Sequence, residues 1–136
     1  INIKLDLCSE KCYSYADKDS ITRVITNLLD NAVKFTDIKG SIDILVSQQH
    51  NDVYVSVKNT GKGIAEDKLP MIFKRFYKED KSRSTNKEGT GIGLYLVKNI
   101  LLAHGHDITV NSVEGDYAEF EFTLDKGKPT QLKEKN

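Results

Sequence analysis

Three groups of residues in this 136-residue chain have types and spacings suited to phosphate chemistry. The first is Asn27, Asn31 and Lys34, at i, i+4 and i+7 of a segment with helical apolar spacing. At about 100° per residue they share a stripe of roughly 60°, centred about 130° from the apolar stripe. Amide oxygens can ligate Mg2+ beside a phosphate, because that hard ion prefers oxygen and accepts neutral ligands where the substrate carries the charge. A lysine one turn on can reach a phosphate as a point charge. The second group is Asn59, Gly61 and Gly63 in "NTGKGI", ending a strand pattern. A purine can lie flat against such a glycine backbone while Asn59 reads its edge. The third is "GTGIGL": Gly89, Gly91 and Gly93 alternate with Thr90 and Ile92, and a helical pattern starts at Leu94. Glycine N–H groups at a helix N-terminus favour an anion.

Each group alone is weak. The triple glycine fits neither familiar phosphate loop: a dinucleotide fingerprint needs G-x-G-x-x-G straight after a strand, and a P-loop needs Gly-Lys-Ser/Thr. By itself it reads as a loop-to-helix junction, and the first group by itself as a helix flank with incidental asparagines. Their order along the chain is what gives them weight.

The elements that must position these residues follow from hydrophobic periodicity. "INIKLDL" alternates as a half-buried strand, and "CYSYA" as a short second one. Asp17 can cap a helix whose apolar positions are Ile21, Val24, Ile25, Leu28, Leu29, Ala32 and Val33, ending near Thr36 to Gly40. Two strands follow, Ile42/Ile44/Val46 and Val53/Val55/Val57, with "HND" as the turn. A short helix is expected over Lys68 to Arg75, with Pro70 in its first turn. "KEDKSRSTNKEG" has no apolar side chain and reads as a mobile surface loop. A helix from Leu94 to His104 can end at Gly105, and "DITVNS" and "EFEFTL" form the last hairpin. Residues 1–125 are expected to form one domain and 126–136 a solvated tail. The fold class expected is α+β: a two-layer sandwich with a mixed, mostly antiparallel sheet and helices on one face.

Composition narrows the function. The chain is 38% apolar and 29% charged, with zero formal net charge, so nothing global draws it to nucleic acid or anionic lipid. No apolar run approaches the roughly 18 residues of a membrane span, so no direct membrane contact is expected from this segment. Cys8 and Cys12, with no second pair and no nearby histidine, make a poor metal site; a reduced pair is expected, with a disulfide between them as the alternative.

With these pieces in place, the sequence resembles a known family. "NLLDNAVKFT", "NTGKGI", "IFKRFYK" and "GTGIGL" resemble the N, G1, F and G2 boxes of the catalytic, ATP-binding domain of bacterial sensor histidine kinases, within the GHKL superfamily. The resemblance runs from about Asp17 to Leu124, and "RFYKEDKSRS" points to the kinases rather than to gyrase, mismatch-repair or chaperone relatives. It implies ATP and Mg2+ as ligands, with Asn31 on the metal and Asn27 beside metal and phosphates. Asn27 stands where hydrolytic relatives carry a glutamate that activates water, which suits an enzyme that must not hydrolyse its ATP. The resemblance also implies Lys34 on phosphate, Phe35 flanking the adenine and Ile64 packed on it. Phe73 and Phe76 would anchor a lid that begins at Tyr77 and Lys78. Gly89, Thr90, Gly91, Ile92 and Gly93 would close over the triphosphate, with Leu94 starting the helix behind.

Departures from the family pattern are informative. Asn59 stands where the G1 box usually has aspartate, turning a charge-assisted hydrogen bond to the adenine amino group into a neutral one, about 1 kcal/mol weaker. The family's G-x-G-T reads Gly115, Asp116, Tyr117, Ala118, and His106 replaces the second glycine of "HGG". Asn59 and Ala118 read as coupled changes around one polar cluster, so ATP is expected to bind weakly and with relaxed base discrimination. His50, His104 and His106 lack the context of a phosphoacceptor histidine. The resemblance therefore implies the catalytic half of a larger kinase, whose partners are a dimerisation and phosphoacceptor domain and a downstream response regulator. The expected location is cytoplasmic, within a membrane-anchored parent. A nucleotide-regulated interaction module without phosphotransfer and an anti-sigma-like serine kinase are the competing readings.

Overall fold

The computed structural model describes residues 1–8, 13–77 and 93–127. In chain order these form β1 (Asn2–Asp6), β2 (Ser14–Tyr15), α1 (Lys18–Phe35), β3 (Ser41–Gln49), β4 (Asp52–Thr60), a 3-10 segment (Glu66–Met71), α2 (Gly93–Ala103), β5 (Ile108–Val113) and β6 (Tyr117–Lys126). One six-stranded sheet runs β1-β3-β4-β6-β2, with β5 also on β6. Among the described residues, β1 with β3 is the one parallel pairing; the others are antiparallel.

Period-2 alternation sorts the sheet into two faces. Val53, Val55 and Val57 of β4 and Phe120, Phe122 and Leu124 of β6 are buried on the same core as Ile21, Val24, Leu28 and Ala32 of α1 and Val97 and Leu101 of α2. The intervening residues form a polar ladder on the opposite face. Tyr54 Oη donates to Glu121 Oε1 at 2.6 Å, and Ser56 Oγ to Glu119 Oε2 at 2.7 Å. Partial burial and the Glu121 carboxylate together push the Tyr54 hydroxyl up to about 12. Helices thus cover one face only, giving the two-layer α+β sandwich.

Asp17 caps α1 as expected: its carboxylate accepts from Ser20 N at 2.9 Å and Ser20 Oγ at 2.6 Å. The same bonds hold its pKa below the ordinary aspartate value. A depressed folded-state pKa contributes stability above the unfolded value, near ~4, that is lost as pH falls through the folded value. Asp17→Ala is therefore expected to lower the melting temperature by roughly 4 °C at neutral pH, with the difference from wild type closing in acid. Thermal denaturation followed by circular dichroism at several pH values checks this.

A histidine ties the same helix end to α2. His104 Nε2 accepts from Asp17 N at 3.1 Å, and Nδ1 lies 2.8 Å from Ile100 O, which assigns Nδ1 as the protonated nitrogen. At the end of α2, Gly105 takes φ +79 and its N–H meets Leu102 O, so the expected glycine stop is present.

Three expectations need correction. β1 is not half-buried: Ile1, Ile3, Leu5 and Leu7 are each more than half exposed, because β1 lies at the sheet edge beyond the helix layer. Alternation sets which side chains share a face; it does not supply a neighbour to cover that face. The helix expected over Lys68 to Arg75 is instead a 3-10 segment, Glu66–Met71, opening with Lys68 N to Ala65 O at 2.9 Å. Pro70 has no N–H with which to close an α-turn there. Finally, Cys8 is disulfide-bonded rather than reduced; the other cysteine, Cys12, is outside the described residues.

Candidate functional site

The C-terminal half of α1 acts as a rail along which sequence-distant motifs meet. At one point on it, a Cβ built on Gly93, the first residue of α2, would lie 3.5 Å from Asn27 Oδ1. The first asparagine of the helix and the last glycine of "GTGIGL" are therefore neighbours. At the other point, the end of α1, a Cβ on Gly61 would lie 2.3 Å from Phe35 O. Thr36 and Gly61 pair as an isolated bridge, and Gly61 N donates to Asp116 O at 3.0 Å. Eight residues separate Asn27 from Phe35, about 12 Å of helix. Asn31 lies between them, half-buried, on the stripe that continues to the exposed Lys34. Lys34 Nζ stands 5.9 Å from the centroid of the Phe35 ring.

Backbone close approach explains the glycines of "NTGKGI". Gly61 takes φ +151 and Gly63 φ +65, in the region that favours glycine. A Cβ on Gly63 would come within 2.3 Å of Val113 O and 2.9 Å of Tyr117 O, so the strand end is pressed against the β5–β6 hairpin. Ile64, next in line, is half-buried against the core. Its N–H donates to Ser112 Oγ at 2.6 Å, and Ser112 Oγ donates to Tyr117 O at 2.8 Å. Ser112 thus holds the segment in place. No spacing or motif in "DITVNS" signals this role; it is visible only once the hairpin is folded against the loop.

Asn59 is 3% exposed and its cross-strand partner on β6 is Ala118. The two departures that the sequence suggested were coupled stand directly opposite each other. Among the described residues, Asn59 Nδ2 donates to its neighbour Thr60 O, at 3.2 Å. Directly opposed residues have their side chains on the same face, so whatever occupies that spot touches both.

The remaining residues divide into those placed and those not. Leu94 packs against the core behind Gly93, and Tyr77 packs on the same core with Phe73, whose ring meets Phe120 edge-on at 6.2 Å. Phe76 is 57% exposed, with Arg75 4.8 Å over its ring, so of the two expected lid anchors Phe73, itself half-buried, is the one that packs against the core. Lys78, Gly89, Thr90, Gly91 and Ile92, and the polar loop between them, lie outside the described residues. An apolar hollow between α1 and the sheet, lined by Ile21, Ile25, Leu29, Val46 and Val55 among others, includes none of the polar or glycine residues above. Tyr13 and Ser14 are the polar residues of its lining, which holds no cation or carboxamide for a nucleotide's phosphates.

The likenesses to known proteins agree with this geometry. Residues 16–128 match the family described as histidine kinase-, DNA gyrase B- and HSP90-like ATPase. The sensor protein SrrB of Staphylococcus aureus strain NCTC 8325 / PS 47 is 37% identical over 126 residues, which is 93% of this chain and 21% of SrrB. The chain thus spans about a fifth of the length of that relative. Among solved structures, full-length ShkA in complex with AMPPNP has a TM-score of 0.79 at 30% identity, over 93% of this chain and 26% of that one. The nucleotide-free catalytic domain of histidine kinase ThkA has a TM-score of 0.76 at 31% identity, over 92% and 81%. The chain belongs to the histidine kinase-, DNA gyrase B- and HSP90-like ATPase family and is the ATP-binding catalytic domain of the sensor histidine kinase type.

Proposed function

We propose that this domain binds ATP with Mg2+ along the α1 rail and presents the γ-phosphate to a histidine on a separate dimerisation and phosphoacceptor domain of the same kinase. The observation that carries the reading is the double meeting on one helix: Gly93 against Asn27, and Gly61 against Phe35. In this arrangement the adenine lies at the Asn59–Gly61–Gly63–Ile64 end, flanked by Phe35, and the phosphates lie at the Asn27–Gly93 end. The residues present suit the ligand. Glycines leave space that a Cβ would fill, and carboxamides offer oxygens without adding negative charge beside a triphosphate.

Mg2+, when bound through Asn31, neutralises charge on the phosphate oxygens. The chain's own side chains do the remainder by positioning. Asn27 and Lys34 orient the phosphates on one side. Gly93 approaches from the other, with Leu94 fixing the helix behind it. No nucleophile or base from this chain is required, and a carboxamide at Asn27 offers no base to activate water. The parent is a cytoplasmic-facing sensor whose phosphohistidine passes its group to a response regulator.

The test mixes this chain, a separately expressed phosphoacceptor hairpin and γ-labelled ATP. Acid-labile label on the hairpin is expected. Saturable ATP binding without label would replace the reading with a nucleotide-gated binding module, and acid-stable label with a serine kinase.

The opposed Asn59 and Ala118 give a second test. Asn59→Asp alone places a carboxylate at a buried position beside a methyl group and is expected to destabilise the fold by about 2 kcal/mol. Adding Ala118→Thr supplies a hydroxyl donor across the strand pair. The double variant is expected to recover at least about 1 kcal/mol of that loss and to bind ATP about fivefold more tightly than wild type. Urea unfolding and titration calorimetry on the four members of the cycle decide it, and strict additivity would refute the coupling.

A further inference from the structure

The far end of the sheet carries a second constellation. Asp52 opens β4 and Asp125 lies near the end of β6, and the register sets them directly opposite each other. Like charges so placed repel. His106, between α2 and β5, reaches the same spot. Its Nε2 is 2.9 Å from Asp125 Oδ1, and its Nδ1 is 2.9 Å from Thr123 Oγ1. One ligand atom each from Asp52, His106 and Asp125 lie within 4.8 Å of one another. The His106 side chain is 13% exposed and that of Asp125 64%, so the ring is held in place while the cluster stays open to solvent.

We infer that Asp52, His106 and Asp125 form a binding site for a divalent transition-metal ion of the Zn2+ class. Nε2 and one oxygen from each carboxylate are the three protein ligands, and solvent completes the coordination. Three arguments support this. Ligands about 2 Å from a tetrahedral metal are about 3.3 Å from one another. The His106–Asp125 pair, at 2.9 Å, is about 0.4 Å short of that spacing, and the three ligand atoms lie within 4.8 Å, so small side-chain adjustments bring them to it. A metal-bound histidine usually gives its second N–H to a fixed oxygen, and Thr123 Oγ1 is placed to accept it; Nε2, which meets Asp125 Oδ1 at 2.9 Å in the ion-free cluster, would then exchange that contact for the metal. A cation between the two carboxylates also removes the repulsion that their register imposes. An imidazole in the set favours Zn2+, Ni2+ or Cu2+ over Mg2+ or Ca2+. The site is independent of the nucleotide cleft: Asp52 and Asn59 are seven residues apart on β4, about 23 Å.

Tag-free chain carrying Cys8→Ser and Cys12→Ser, stripped with a chelator, is titrated with ZnCl2 at neutral pH by calorimetry, and with CoCl2 by visible absorption. One ion per chain is expected, with millimolar Mg2+ failing to compete. His106→Ala and the exposed Asp125→Asn are each expected to weaken Zn2+ binding tenfold or more and to abolish the Co2+ band. Thr123→Val is expected to weaken it about tenfold through loss of ring orientation. ATP uptake is unchanged in all three. No Zn2+ uptake by the parent chain, or equal uptake by it and both ligand variants, overturns the proposal. Absence of Zn2+ uptake together with a lower melting temperature for His106→Ala would instead identify a metal-free cluster in which the imidazolium itself neutralises the carboxylates.

Discussion

Gly61→Ala is expected to cost about 3 kcal/mol of stability and to remove nucleotide binding along with it. The added methyl group would sit 2.3 Å from Phe35 O, which is backbone and has no rotamer to escape into. Nor can the chain at Gly61 retreat, because its N–H is held by Asp116 O and it bridges to Thr36. Its φ of +151 adds strain for any side chain. Gly115→Ala is the control: φ there is +83, but nothing lies within 4 Å of the added Cβ. That variant should lose only the conformational term, about 1 kcal/mol. Urea unfolding of the two variants side by side separates collision from conformation. Equal midpoints would mean that the end of α1 and the strand end are not locked together.

The second large effect concerns the metal assigned to Asn31. Asn31→Ala is expected to lower ATP affinity in the presence of Mg2+ by on the order of a hundredfold, about 2.8 kcal/mol. Phosphate transfer to the hairpin should fall at least as far. Affinity measured in chelator should barely change, since the side chain acts through the ion. The fold should also survive, because Asn31 is not one of the buried core residues and its neighbour Ala32 is. Calorimetry with and without Mg2+, on a variant whose melting temperature is unaltered, reads this directly. A variant that keeps the wild-type gain from Mg2+ would take the metal away from Asn31.

How much of this could be read from the sequence differs between elements for physical reasons. α1 was legible because its apolar residues recur at helical spacing and Asp17 is a strong N-cap, both local signals. The strands were legible from alternation, and the pairing of Phe120, Phe122 and Leu124 with the core followed from it. The exposure of β1 was not legible, since burial depends on what packs above a strand and nothing in "INIKLDL" encodes that. A proline suits the first turn of a helix by position, yet at Pro70 the missing N–H goes with the tighter 3-10 turns found there.

The site divides along the same line. Glycine-rich motifs announced close approach without saying to what. The partners, Phe35 O for Gly61 and Asn27 for Gly93, come from residues 26 and 66 positions away in the sequence. Family resemblance implies which residues share a ligand, Phe35 and Ile64 at the adenine and Asn27 with the glycines at the phosphates; the contacts themselves are visible only in the fold. Ser112 and Thr123 escaped notice because a lone hydroxyl on a strand has no signature until its neighbours are assembled. The opposition of Asn59 and Ala118 shows the converse. Two unusual residues far apart in sequence were suspected of sharing one job, and the strand register makes them immediate neighbours.

β6 hydrogen-bonds to β2, β4 and β5, yet it is the last of these elements along the chain. During synthesis the earlier strands therefore leave the ribosome before the central member of their sheet exists. Contacts of such long sequence separation form slowly. Until β6 arrives, the valines of β4 lack the phenylalanines that flank them on the same sheet face and α1 lacks part of the surface it packs on, so newly made chains pass through a period of exposed oily surface that chaperones are suited to shield.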